Sequence, residues 1–190
     1  TIGNFLADPA LDALYEQLCH AGSESEKATE TASIISAGAA ENETETAETD
    51  KPQIIIKQGI RLNQKPVSKE EAIRAAGELL AELGYADETY VDAMQEREKL
   101  VTTYMGMGVA IPHGTSQAKE TVKKTGIVFL QYPEGVDFGD EKAELVFGIA
   151  GIGDEHLELL SKICEVLEDE EVLEKMKTTS DLEWVMEQLS

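Results

Sequence analysis

The sequence predicts an α/β protein: a single layered domain with a mixed, mostly parallel β-sheet flanked by helices on both faces. Three observations predict it. Apolar runs at residues 109–111, 126–130 and 145–150 read as buried strands. Apolar residues at helical spacing follow Ser68, Asp87, Asp154 and Ser180. The two kinds of segment alternate along the chain, as in domains that cover a sheet with helices. No internal repeat is visible.

Taken in order, Leu11, Leu14, Tyr15 and Leu18 mark a short amphipathic helix with Pro9 at an early position. Residues 22–50 are rich in Ser, Thr, Ala, Glu and Gly, hold no aromatic residue and crowd Glu41, Glu43, Glu45, Glu48 and Asp50 at their end. Such a composition buries too little apolar surface to offset its ordering entropy, so a disordered acidic linker is expected. Ile54, Ile55 and Ile56, with Ile60 and Leu62 alternating after them, read as a strand. Ser68 and Glu71 form a capping box for a helix whose inward face is Ala72, Ile73, Ala76, Leu79, Leu80 and Leu83, stopped by Gly84. Asp87 caps a second helix carrying Tyr90, Val91 and Met94 and ending near Lys99, with Gly106 and Gly108 breaking the chain beyond it. Pro112 stops the first apolar run, and Pro133-Glu134-Gly135 is turn chemistry after the second. Asp154 and Glu155 open a helix with Leu157, Leu160, Ile163 or Cys164, and Leu167 inward. Ser180 and Glu183 then make a last capping box before Trp184, Val185 and Leu189.

Composition excludes several functions. The formal charge is −22, and residues 66–190 alone hold 27 acidic and 11 basic side chains. Nucleic acid binding needs clustered Lys and Arg, so it is not expected, whereas a basic protein partner would be steered toward the domain. Cys19 and Cys164 show no metal-ligand spacing and no disulfide framework, which fits a reducing cytoplasm. No stretch approaches the roughly 20 apolar residues of a spanning helix. The first residue is Thr1 and not Met, which suggests a processed chain or, more simply, a piece cut from a longer polypeptide.

Three histidines sit in different settings. His20 lies where the first helix meets the linker and reads as solvated. His113 follows a buried strand and Pro112 and precedes Gly114, which leaves the imidazole at a strand mouth, where open α/β sheets place ligands. A plain surface Pro-His-Gly turn would read the same way. His156 falls in the first turn of a helix, where unpaired N–H groups favour an anion, though an exposed polar face is the alternative. Arg97 ends a helix, with Glu96, Glu98 and Lys99 beside it looking like a solvated face, and an ion pair on the helix surface is its plain reading.

These residues fall in a longer pattern. Arg97-Glu98-Lys99-Leu100, followed by Tyr104-Met105-Gly106-Met107-Gly108-Val109-Ala110-Ile111-Pro112-His113-Gly114-Thr115, resembles the active-site signature of the mannitol–fructose family of enzyme IIA domains. The family belongs to the bacterial sugar phosphotransferase system, and the likeness is closest to its mannitol branch. Gln131-Tyr132-Pro133-Glu134-Gly135-Val136 and Asp154-Glu155-His156 extend the resemblance, which covers residues 54–190. It implies that His113 accepts a phosphoryl group from the phosphocarrier HPr and passes it to a cysteine of enzyme IIB. Arg97 and His156 then support the phosphorylated state. Transfer through a loose transition state asks mainly for alignment and donors, so no cofactor and no metal are expected.

Asn4-Phe5-Leu6 and the helix after it resemble the C-terminal end of an enzyme IIB. The resulting division is residues 1–21 as that tail, 22–50 as linker and 51–190 as enzyme IIA. It implies a cytoplasmic domain, tethered to the inner face of the membrane where it is fused to enzyme IIC, the membrane component. A regulatory module of the same family, controlling a partner or transcription regulator by histidine phosphorylation, and a fructose-specific enzyme IIA are the other readings. Met105, Met107 and Val109 are expected to flank the site as an apolar docking centre.

Overall fold

The computed structural model describes residues 54–190 apart from 140 and 154, with only the backbone of His156. The expected N-terminal helix, the linker, His20, Cys19 and the capping role of Asp154 lie outside the described residues. Five strands form one sheet in the order β1-β4-β5-β3-β2: β1 (Ile60–Arg61), β2 (Tyr104–Gly106), β3 (Val109–Ala110), β4 (Gly126–Asp137) and β5 (Lys142–Ala150). The helices are α1 (Lys69–Glu82), α2 (Tyr90–Leu100), α3 (Glu155–Leu167), α4 (Glu170–Thr178) and α5 (Leu182–Leu189).

The sheet is mixed, as expected, with parallel and antiparallel pairings in equal number. β1 runs parallel to β4 and β3 parallel to β5, while β4–β5 and β2–β3 are antiparallel. The physical reason is loop length. Only a short connection separates β4 from β5, which permits a hairpin, whereas a parallel pair needs a crossover of a dozen or more residues. Pro133 to Gly135 do not end β4. They sit where its register against β5 shifts between Gln131 and Val136, so the turn chemistry makes a bulge, with Gly135 at φ +75.

Side chains of the long strands alternate between two buried faces. Val128, Leu130, Val146 and Ala150 join Ala72, Ile73, Ala76 and Leu80 of α1, and Tyr90 and Met94 of α2, in one core cluster. The alternate positions Ile127, Phe129, Phe147 and Ile149 are also buried, with Phe129 against Phe147 at 4.9 Å between ring centroids. On this second face α3 and α4 contact β5, and Gln131 Nε2 donates to the Met176 and Thr179 carbonyls at 2.7 and 2.9 Å. Helices therefore cover both faces.

Local signals succeeded and failed for identifiable reasons. The Ser68 box is present in both directions, and Gly84 follows α1 at φ +75. Residues 54–56 do not form a strand. The Ile54 carbonyl accepts from Ile127 N at 2.7 Å, then the chain turns through a 3-10 segment (Lys57–Gly59) into β1. Asp87 does not cap α2 with its side chain: it pairs with Lys123, and its carbonyl accepts from Tyr90 N. Asp181, not Ser180, caps α5 by accepting from Trp184 N at 3.0 Å, while Ser180 accepts from Asn63 Nδ2. α4 buries only Leu173 and Met176, too few apolar positions to mark a helix in the sequence. Leu157 is only half-buried in α3, where Leu159, Leu160, Ile163 and Leu167 turn inward, and Cys164 is half-buried.

Among the described residues no helix is long and apolar enough to cross a membrane.

Candidate functional site

His113 stands where β3 leaves the sheet. Ile149 N donates to the Pro112 carbonyl at 3.1 Å, and His113 itself pairs with Ile149 in a parallel bridge. The imidazole is thus held at the carboxyl ends of β3 and β5, half-buried. Its Nδ1 lies 2.8 Å from the Ile111 carbonyl oxygen. A carbonyl can only accept, so Nδ1 carries the proton and donates it. That tautomer leaves the lone pair of the neutral ring on Nε2.

Two residues whose part was not legible in the sequence build the frame around this ring. The first is Tyr90, the opening residue of α2. Its hydroxyl donates to the Ile149 carbonyl at 2.8 Å and accepts from Gly114 N at 2.9 Å, so it ties the chain just after His113 to the bridge partner of His113 on β5. Burial pushes the phenol up to about 12, partly opposed by the Gly114 N–H bond. The ring also explains the glycine: a Cβ at 114 would lie 2.4 Å from Tyr90 Cε2.

The second is Glu98, which is buried and not on a solvated face. Its Oε2 accepts from Thr103 N at 2.7 Å and Thr103 Oγ1 at 2.6 Å, and its Oε1 accepts from Thr102 Oγ1 at 2.9 Å. Lys69 Nζ, at the start of α1, lies 3.5 Å from Oε1. Thr103 in turn offers its carbonyl to Ile111 N at 2.9 Å.

Arg97 is half-buried at the end of α2, and its Nη1 donates to the Val101 carbonyl at 2.9 Å. Arg97 and Glu98 thus hold consecutive pieces of the connection that runs beside the His113 strand. His156 lies in the first turn of α3, which begins a few residues past the end of β5, at the end of the sheet that carries His113.

The apolar surroundings differ from the expectation. Val109 is buried in β3, and Met107 tips the β2–β3 hairpin, at the opposite end of β3 from His113. Three successive positive φ angles, at Gly106, Met107 and Gly108, make that tight reversal. Exposed apolar side chains at the His113 end come instead from Leu100 (58 %), Val101 (54 %) and Ile152 (47 %). β2 runs antiparallel to β3, so Val101 lies level with the exit of β3, and Ile152 follows β5 past Ile149. Among the described residues no group of three or more His, Cys, Asp or Glu could hold a metal ion.

A layered α/β domain with a half-buried histidine of fixed tautomer at a sheet end is suited to accepting a transferable group. Residues 53–190 match the family model "Phosphoenolpyruvate-dependent sugar phosphotransferase system, EIIA 2", and the chain belongs to that family. It is 48% identical over 136 residues to the mannitol-specific EIICBA component of the phosphotransferase system of Escherichia coli (strain K12), covering 70% of this chain and 21% of that protein. The chain therefore spans about a fifth of the length of that fused relative. The mannitol-specific EIICBA component of Vibrio cholerae is 40% identical over 191 residues, which is 98% of this chain and 29% of that protein. A separate mannitol-specific enzyme IIA component, from Bacillus subtilis (strain 168), is 46% identical over 134 residues, or 68% of this chain and 94% of that protein. Among solved structures, the complex of Escherichia coli mannitol enzyme IIA with phosphorylated enzyme IIB matches at 46% identity and a TM-score of 0.68, over 71% of this chain and 96% of that one.

Proposed function

We propose that this chain is the enzyme IIA unit of a mannitol-type phosphotransferase system and that His113 is its phosphoryl acceptor. The observation that carries the reading is the Nδ1 bond to the Ile111 carbonyl on a ring at the sheet's carboxyl end. With the proton fixed on Nδ1, Nε2 is the nucleophile. The N–P bond of phospho-HPr breaks as the Nε2–P bond of His113 forms. In the second step that bond breaks and the phosphoryl group moves to the cysteine sulfur of enzyme IIB. Each step exchanges one bond to phosphorus for another, so the protein's work is alignment and stabilisation of charge on the equatorial oxygens. Arg97 offers five N–H donors in a rigid fork, of which the Val101 carbonyl engages Nη1. His156 supplies a further donor from the first turn of α3, where the helix dipole favours an anion.

The relatives support mannitol over the fructose and regulatory readings, being mannitol proteins at 40–48% identity. The similarity to the Vibrio cholerae fusion across nearly the whole chain supports residues 1–21 as the end of an enzyme IIB, 22–50 as a linker and 51–190 as enzyme IIA. On this reading the domain works in the cytoplasm, held at the inner face of the membrane through a fused enzyme IIC. The test is incubation with phosphoenolpyruvate, enzyme I and HPr, followed by intact mass and phosphosite mapping. One acid-labile phosphate on His113, absent from His113→Ala, is expected. Phosphate on another residue would overturn the assignment.

A further inference from the structure

The reading of His113 as acceptor leaves unexplained why a carboxylate is buried on the approach to a group that will carry a phosphoryl charge. Glu98 adds negative charge there, and burying it costs free energy unless it is fully bonded. It is bonded: three donors from Thr102 and Thr103 and the Lys69 ammonium surround it. None of these is a reacting group. What they achieve is to fix residues 102–103, and from there a continuous series of bonds leads to the imidazole. The Thr103 carbonyl takes Ile111 N at 2.9 Å, and the Ile111 carbonyl takes His113 Nδ1 at 2.8 Å.

We infer that Glu98 is a positioning residue for His113, setting through Thr103 and Ile111 the tautomer that presents the Nε2 lone pair. The inference rests on His113 being the acceptor. Imidazole in water favours the opposite tautomer, with the proton on Nε2, so the Ile111 bond must hold the ring against that preference. It can do so only while the Ile111 carbonyl keeps its direction. β3 is just two residues long, and the hairpin partner that steadies its exit is the segment Glu98 fastens. β5 holds this exit from one side through Ile149 N and the Pro112 carbonyl, and the Thr103 carbonyl holds Ile111 from the other, the side that Glu98 fastens.

The full-length chain labelled with ¹⁵N-histidine tests this, with Glu98→Ala, Glu98→Gln and Thr103→Val. Long-range proton–nitrogen spectra read the His113 tautomer without any phosphoryl donor, and single-turnover transfer from phospho-HPr reads the rate. In Glu98→Ala the ring should shift toward Nε2–H, and transfer should fall by about 10- to 100-fold, the usual loss when a partner that orients a functional group is removed. Glu98→Gln retains an acceptor for Thr103 and should recover most of both. A folded Glu98→Ala protein with the wild-type tautomer and rate would overturn the inference. Should that variant fail to fold, Thr103→Val decides: it keeps the Thr103 N–H bond, loses the hydroxyl bond, and should show a partial shift of tautomer, whereas an unchanged spectrum would overturn the inference. Phosphate found away from His113 in the wild type would remove the acceptor reading instead, and the tautomer data would still report on Glu98.

Discussion

A Cβ on Gly114 would sit 2.4 Å from Cε2 of Tyr90, the residue whose hydroxyl takes the Gly114 N–H at 2.9 Å. The backbone beside His113 is therefore drawn onto an aromatic ring by a hydrogen bond and can be drawn so close only because residue 114 has no side chain. Gly114→Ala forces the ring and the loop apart. Overpacking of this kind costs about 1–3 kcal/mol. The melting temperature should fall, and transfer to His113 should fall further than stability alone explains. An alanine variant with both properties unchanged would mean that the loop relaxes freely.

Tyr90→Phe separates the two halves of that relationship. It keeps the ring and leaves Gly114 N–H and the Ile149 carbonyl without their partner, at a cost of about 1–3 kcal/mol for buried groups. The wild type also has an alkaline limb. The phenols of Tyr90 and Tyr132 are both pushed up to about 12 by burial, and Tyr85 and Tyr104 are shifted upward as well, burial being the first cause in each. A phenol with a raised folded pKa binds its proton more tightly in the folded state. Its contribution is complete below the unfolded value of about 10 and is lost as pH rises toward 12. Denaturant midpoints should fall from pH 10 upward. Tyr90→Phe should start lower and fall less steeply, and parallel slopes in the two proteins would contradict the assignment to Tyr90.

What the sequence made legible follows the range of the interactions involved. The Ser68–Glu71 box and the stop at Gly84 are local and could be read directly. The strands containing 126–130 and 145–150 are buried on both faces, so continuous apolar runs marked them, although their pairing direction depended on a loop length. A motif singled out His113, Arg97 and His156 as the proposed site residues. Glu98 stands in the same motif yet reads there as a solvated neighbour, because its burial depends on Lys69, far away in sequence, and on a backbone N–H five residues ahead. Nor could Met107 be placed: six residues before His113 looks near in sequence, yet in extended chain it is the other end of the strand.

Arg97→Lys and His156→Ala should slow transfer with little change in melting temperature. Removing a preorganised donor from a transferring group costs about 10²–10³ in rate, more than the roughly 0.5–1.5 kcal/mol that one lost hydrogen bond takes from stability. Lysine keeps the charge at 97 and loses the planar fork, so one ammonium would have to serve both the Val101 carbonyl and the phosphoryl oxygens. The His156 effect should be largest in transfer onward to enzyme IIB. Wild-type kinetics for both steps in both variants would reduce the site to His113 and its frame.

Removing residues 1–50 should leave a chain that folds and is phosphorylated by HPr. The family match begins at residue 53, and the Bacillus subtilis relative is a separate protein matched over 94% of its length. Equal melting temperatures and equal single-turnover rates are expected for the full chain and for one starting at Lys51. A large loss in either would show that the first residues support the domain.

The exposed apolar residues at the His113 end give the last prediction. Leu100, Val101 and Ile152 lie at that end of the sheet, and Met107, equally exposed, lies at the other. On the proposed function the partner's phosphohistidine reaches Nε2 of His113, and the contact is then expected to cover the first group and not the second. Truncating or charging an apolar residue at the centre of an interface weakens binding far more than the same change on remote surface. Val101→Asp should therefore raise the HPr concentration needed for half-maximal transfer, by tenfold or more, for a loss of about 1.4 kcal/mol or above. Met107→Asp should leave it within about twofold. Both variants add one negative charge to a chain already at −22, so general electrostatics affect them alike and the difference between them isolates position. Steering of a basic partner by this acidic domain adds a salt dependence common to all variants: association should slow with ionic strength while the single-turnover step inside the complex changes little. Equal effects of Val101→Asp and Met107→Asp would mean that the partner does not approach over the α2–β2 connection.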